Sequence, residues 1–298
     1  MKEDRKRVLR GCACAALGGV FWGFSGTFGQ HLFAQWPVSS LWLTCVRLLS
    51  AGAILTVMAL VQNAGEVKRL FCTPRDLGLT ALFGVSGLML CQYAYMTGIS
   101  HSNAATTTVL QTLTIVMVMV IDCLHHRRVP RWHETLSVAL ALFGTFLLAT
   151  GGNPRQMVLS PKGLFWGLMT AAAMTLYTLM GRPLMSRWSR SAIMGPAMLM
   201  GGTALTVGAQ SWTLYTPLPE TGWLLVAGIV VMGTVVSFSL FAQGIRDAGP
   251  VRSSILSVTE PVSAALLAFF WLGTQFTPAD LIGFAAILAT VFLLAKQD

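Results

Sequence analysis

Charge is in short supply. Lys and Arg number 20 and Asp and Glu 11 in 298 residues, so only 10% of the side chains are charged. A water-soluble domain carries about 25%, and the deficit excludes an ordinary cytosolic globule. Long polar stretches are missing too. Short connectors separate the apolar runs, which leaves no room for a soluble catalytic or nucleic-acid-binding domain. Ionisable groups deep in those runs are fewest of all: only Arg47 and Glu260 qualify. Aspartyl chemistry needs two close acids, a metalloprotease helix needs His-Glu-x-x-His, and a serine hydrolase needs a His or Lys base. None of these sets occurs at depth, which argues against an intramembrane enzyme. The adjacent His125 and His126 lack the i, i+4 partner of a helical metal site, so neither a metal nor a cofactor is expected.

What is abundant is apolar sequence, at 54% of the chain. It divides into ten stretches, roughly 8–33, 38–61, 77–97, 103–124, 133–150, 162–181, 191–212, 221–243, 251–271 and 279–295. A helix of about 20 residues crosses a hydrocarbon core of about 30 Å. The expected fold is an all-α membrane protein with ten transmembrane helices in the lipid bilayer. The net charge of +9 reads as a topology signal, not as a nucleic-acid footprint. At one end of the spans lie Lys2, Arg5, Lys6, Arg7 and Arg10, with twelve more basic residues between Lys68 and Lys296; the other end has only Arg155 and Lys162. The positive-inside rule then puts both termini in the cytoplasm of a multi-pass cell-membrane protein. The first run imitates a signal peptide, but no small-x-small site precedes Gln30-His31, and it is expected to stay as a helix. Six cysteines (Cys12, Cys14, Cys45, Cys72, Cys91 and Cys123) avoid the outer loops of this topology, so no disulfide framework is expected.

An internal repeat runs through the chain. Residues 98–150 align without a gap onto 244–296 at an offset of 146, with Gly98-Ile99 on Gly244-Ile245 and Phe146-Leu147-Leu148-Ala149 on Phe292-Leu293-Leu294-Ala295. Earlier, Gly29 to Phe33 resembles Gly181 to Met185 at an offset of 152. The expected domains are therefore two five-helix repeats, 1–150 and 160–298. Five is odd, so the second half runs through the membrane inverted. Inverted halves are the architecture of alternating-access transporters.

Candidate site residues follow from polarity at depth. Asn103, Thr107, Gln111 and Thr114 in span 4 share one helical face, and their repeat partners in span 9 are Gly249, Ser253, Ser257 and Glu260. Such a stripe faces either a neighbouring helix, as interhelical glue, or a wet cavity. Gln111 and Glu260, the costliest to desolvate, are assigned to the cavity. Arg47 and Glu260 lie within about 5 Å in depth, which leaves open both an ion pair and direct substrate contact. Pro261 is expected to free the Ser257 carbonyl and kink span 9. Trp22, Ser25, Tyr95 and Tyr177 sit at mid-span depth and are candidates for cavity walls. Asp122, beside His125, His126, Arg127 and Arg128, is expected either to snorkel or to pair at the interface.

With Arg47 in span 2, Ser257-Val258-Thr259-Glu260-Pro261-Val262 in span 9, and Gly283 with Leu293-Leu294-Ala295 in span 10, the chain resembles the drug/metabolite transporter superfamily, and within it the ten-span EamA-type family. The first half departs from the pattern, with Thr114-Ile115 where the second has Glu260-Pro261. The resemblance implies export of small metabolites, often amino acids, through a central cavity lined mainly by spans 1, 3, 4, 6, 8 and 9. Span 1 has no acid around Trp22-Gly23-Phe24-Ser25, which disfavours the drug–proton exchange of the small four-span members. Nucleotide-sugar carriage would want several cavity cations, and Arg47 is alone. A receptor or scaffold gains nothing evident from inverted halves. Substrate identity, proton coupling, and the choice between monomer and homodimer stay open at this level.

Overall fold

The computed structural model describes residues 2–295, and no side-chain surroundings are given for 2–5, 250, 251 and 295. Lys2, Arg5 and Lys296 of the charge count thus fall outside the described side chains. Among the described residues the regular structure is helical, without a strand. Nine helices are long and apolar enough to cross a membrane, and a shorter apolar helix follows at Pro278–Leu294. In chain order the ten spans are Lys2–Gln35, Ser40–Phe71, Pro74–His101, Ala104–His125, Trp132–Thr150, Pro161–Met185, Arg190–Gly208, Glu220–Ala248, residues 250–270 and Pro278–Ala295. They are numbered 1 to 10 below.

The helices have apolar outer faces, because in lipid only internally hydrogen-bonded backbone survives and apolar side chains need no cover. Val61, Leu124, Leu142, Leu224 and Phe270 all point outward. Inward, packing follows a regular exchange. Span 1 packs on spans 8 and 9, and span 6 packs on spans 3 and 4; span 2 packs on span 7, and span 5 on span 10. Advancing every number by five reproduces the same set of partners.

Several spans are not simple α-helices, and span 2 kinks at Asn63 (φ -156°, ψ 69°). Span 3 contains a π-helical segment at Phe83–Met89, and span 8 contains one at Val231–Val236. In span 8 the wide turn goes with hydroxyl bonds to the fifth carbonyl back, Thr234 Oγ1 to Ile229 O at 3.1 Å and Ser237 Oγ to Met232 O at 2.7 Å. Spans 4 and 9 are each interrupted by a tighter turn of i→i+3 bonding, with Leu113 N on Leu110 O at 3.1 Å and Val258 N on Ile255 O at 3.2 Å, while the backbone stays in the right-handed helical region. Span 4 runs Ala104–Gln111 and then Thr114–His125, and span 9 runs Pro250–Leu256 and then Thr259–Phe270. The breaks lie close to the 146-residue offset from each other.

These breaks alter the expected stripe. Asn103 is not on the helical face but caps it, its Oδ1 accepting from Thr106 N at 2.8 Å. Thr114 opens the second half-helix. Pro261 sits in the first turn of the second half of span 9, where a missing N–H leaves no helical bond unmade. The Ser257 carbonyl it was expected to free accepts instead from Glu260 N at 2.9 Å. Span 4 breaks at Thr112–Leu113 with no proline, so Pro261 alone is not the cause. Hydroxyls competing for local carbonyls are common to both: Thr112 bonds Val109 O at 2.7 Å, and Ser257 bonds Ser254 O at 2.7 Å.

The two half-helix starts are alike in detail. Thr114 Oγ1 lies 2.7 Å from Gln111 O and 3.1 Å from Ala171 O of span 6. Thr259 Oγ1 lies 2.8 Å from Leu256 O and 2.9 Å from Ala16 O of span 1. In each case one threonine ties a broken helix to its neighbour.

Candidate functional site

Arg47 is the centre of the buried polar residues. It lies in the first third of span 2 and is 3% exposed. Its Nε donates to Thr234 Oγ1 at 2.8 Å and its Nη2 to the Gly233 carbonyl at 3.2 Å, both in the π segment of span 8. The remaining nitrogen, Nη1, is buried and has no hydrogen-bond partner. The guanidinium is therefore anchored along one edge and open along the other. Ser25 of span 1 lies against the same turn, since a Cβ on Gly233 would collide with its side chain. Ser25 is 1% exposed, and its Oγ also lacks a partner.

Glu260 stands in the first turn of the second half of span 9, where a helix N-terminus favours an acid. It and Arg47 are near enough to interact electrostatically, as is Tyr95, but no ion pair joins Glu260 to Arg47 among the described residues. Span 9 reaches this position because span 1 yields to it. Side chains at Gly19 and Gly23 would meet Thr259, Glu260 and Ser263.

The other expected residues divide. Tyr95 is buried, and its hydroxyl lies 3.0 Å from Thr108 Oγ1. Trp22 is half-buried and packs on Phe238 and Phe241 of span 8, with ring centroids 5.3 and 5.1 Å away. Gln111 and Ser257 end the first half-helices of spans 4 and 9 and are half-buried. Two residues are engaged in packing. Thr107 is 1% exposed and bonds Ser102 at 2.9 Å in the corner between spans 3 and 4. Tyr177 lies over Phe83, ring centroids 5.1 Å apart, and points its hydroxyl at Met194 Sδ, 3.8 Å away. Gly233 and Thr234 were missed. Their only sequence signal is that Gly233 falls 146 residues after Gly87, inside the other π segment.

Charges gather at the basic ends of the spans. Asp247, whose side chain is 2% exposed, accepts from Arg10 at 2.7 and 2.9 Å, from Gln243 at 2.8 Å and from Arg7 at 3.3 Å, joining spans 1 and 8. Asp122 pairs with Arg128 at 3.0 Å and with His126 at 3.3 Å, the interfacial role expected of it. Arg128 also pairs with Glu134 at 2.8 Å, and these two carboxylates, Glu134 foremost, push its guanidinium further above its usual range. An open apolar groove of about 440 Å³ beside this cluster, lined by Met119, Leu124, Arg127, Pro130 and Val138, is distinct from the Arg47 neighbourhood.

Backbone irregularity at membrane depth is tolerated where it is buried in protein or lines a cavity, and inverted-repeat transporters hold their substrates at interrupted helices in matching positions of the two halves. An inner membrane transporter of Salmonella typhimurium, YicL, named as uncharacterized, is 34% identical over the whole of this chain and 98% of its own length. An uncharacterized transporter of Archaeoglobus fulgidus is 26% identical over 86% of this chain and 99% of its own length. A protein of Streptantibioticus cattleyicolor named "probable terminal-alkyne amino-acid exporter" is 22% identical over 80% of each chain. A solved crystal structure, 16% identical, superposes with a TM-score of 0.62 over 97% of this chain and 96% of that one, which shows the shared fold. The model of the EamA-like transporter family matches residues 9–150 and again 161–296, and the chain is a multi-pass membrane protein belonging to that family.

Proposed function

We propose that the protein is a secondary transporter that exports small metabolites, amino acids among them, from the cytoplasm by alternating access. The halves 1–150 and 160–298 act as inverted repeats, and the site lies between the broken spans 4 and 9. The observation that carries this reading is the exchange of packing partners. Span 1 on spans 8 and 9 answers to span 6 on spans 3 and 4, so exchanging the halves' conformations would open the same site to the other side. The matched π turns and matched breaks support it further.

Cargo contact falls to Trp22, Ser25, Tyr95, Gln111, Ser257 and Glu260. Thr107 and Tyr177 act by holding spans 4 and 6 in place. Both termini face the cytoplasm, on the strength of the basic excess at that end. Efflux from proteoliposomes loaded with a panel of labelled metabolites tests the reading. Counterflow of at least one small metabolite, lost in Gln111→Leu and Ser257→Leu at normal folded yield, is the expected result. Parental rates in both variants would reduce the polar stripes to packing glue.

A further inference from the structure

Buried arginine in a membrane protein normally finds a full set of acceptors, because an uncompensated cation in low dielectric is strongly unfavourable. Arg47 has only neutral ones, a threonine hydroxyl and a glycine carbonyl, and both lie on its Nε–Nη2 edge. Its Nη1 is orphaned, and among the described residues the nearby Glu260 acts on the guanidinium through space without reaching it as an ion pair. Against the same π turn stands a second orphan, the Ser25 hydroxyl. Two unpartnered donors, both more than nine-tenths buried, therefore flank one backbone turn. The guanidinium is held still by span 8 and has one N–H edge to spare, the preorganisation that favours an oxyanion over water.

We infer that Arg47 Nη1 and Ser25 Oγ form a carboxylate subsite, so that the cargo bears a carboxylate which supplies the hydrogen-bonded counter-charge that Glu260, acting only through space, does not. This rests on the transporter reading above and narrows it to a substrate class. The Nε bond to Thr234 and the Nη2 bond to Gly233 then have a positioning role: they fix the guanidinium against the same turn that Ser25 packs on. Gly233 itself cannot carry a side chain without displacing Ser25. Chemically the subsite needs no titration, only charge-assisted hydrogen bonds to an oxygen that is anionic at neutral pH.

The test is thermal unfolding of the purified full-length protein with three probes at millimolar concentration. These are L-leucine, N-acetyl-L-leucine, which keeps only the carboxylate, and L-leucinamide, which loses it; sodium chloride is the inorganic-anion control. Leucine and N-acetyl-leucine should raise the melting temperature, and leucinamide and chloride should not. Ser25→Ala should raise the half-saturating concentration of the carboxylate probes roughly tenfold. Arg47→Lys, which keeps the charge but loses the fork, should weaken it as well, and Arg47→Met should abolish the response. If Arg47→Met does not fold, the lysine and Ser25→Ala variants decide. Equal stabilisation by leucinamide or chloride, no response to any probe, or an unchanged half-saturation in Ser25→Ala would each overturn the subsite. Proteoliposomes that move leucine and leucinamide alike would leave the transporter reading standing and remove this one. Carboxylate-selective stabilisation without any transport would do the reverse.

Discussion

Arg47 is tethered on one edge and free on the other, and its tether can be cut. Thr234→Val removes the acceptor of Nε without changing the shape of the residue. A hydrogen bond to a charged group contributes about 1.5–3 kcal/mol, so unfolding in detergent should begin well below the parental temperature. Glu260 behaves differently. Nothing in the described structure hydrogen-bonds its carboxylate or pairs with it, so Glu260→Gln should leave folded yield and melting temperature near those of the parent while transport in proteoliposomes is lost. Adding Arg47→Met to Glu260→Gln should restore no stability, because no pair exists to be rescued. A double variant more stable than the single one would reinstate the ion pair.

At the scale of the element, the broken spans are held by threonines. Thr114 and Thr259 open the second half-helices and each reaches a carbonyl on a neighbouring span. Thr114→Val and Thr259→Val should each destabilise by about 1 kcal/mol, in line with hydrogen bonds measured inside membrane proteins. The sites have no shared partner, so the double variant should sum the two within about 0.5 kcal/mol. A denaturant titration of the four proteins tests this. The ionic tie between spans 1 and 8 is a weaker device. Arg7 and Arg10 are 60% and 64% exposed, so water and salt screen much of their attraction for Asp247. Asp247→Asn should lower the melting temperature modestly, and the loss should shrink as ionic strength rises.

For the whole molecule, the prediction concerns sidedness. The facing ends of spans 2 and 3 and the loop at 186–189 meet at one end, where Arg187 pairs with Asp76 at 3.2 Å. The loops at 36–39 and 209–219 meet at the other, where Thr216 bonds the Pro37 carbonyl at 3.2 Å. Cys72 is exposed and lies at the basic end. An impermeant thiol reagent should therefore miss Cys72 in intact cells and reach it only after permeabilisation, whereas Gln156→Cys in the opposite loop should label from outside. The reverse pattern would invert the topology and end the export direction.

Spans and their order were legible in the sequence because lipid imposes length and apolarity residue by residue, and no tertiary contact is needed to satisfy either. The repeat register set span 9 against span 4 as an expectation, and the interruptions at 112–113 and 257–258 fall one residue from its offset. Glu260 stood out as an acid where acids are expensive. The partner of Arg47 was not legible. Thr234 lies 187 residues away, and only the packing of span 2 beside the π turn of span 8 brings them together. The helix breaks were half-legible: Pro261 pointed to span 9, while span 4 breaks through hydroxyls that read as ordinary helix residues. What composition determined was membership in the bilayer and the number of crossings. Which buried donors are satisfied, and which are left facing an empty edge, was decided only by the packing of one half against the other, since a hydrogen bond across spans depends on distance and not on spacing along the chain.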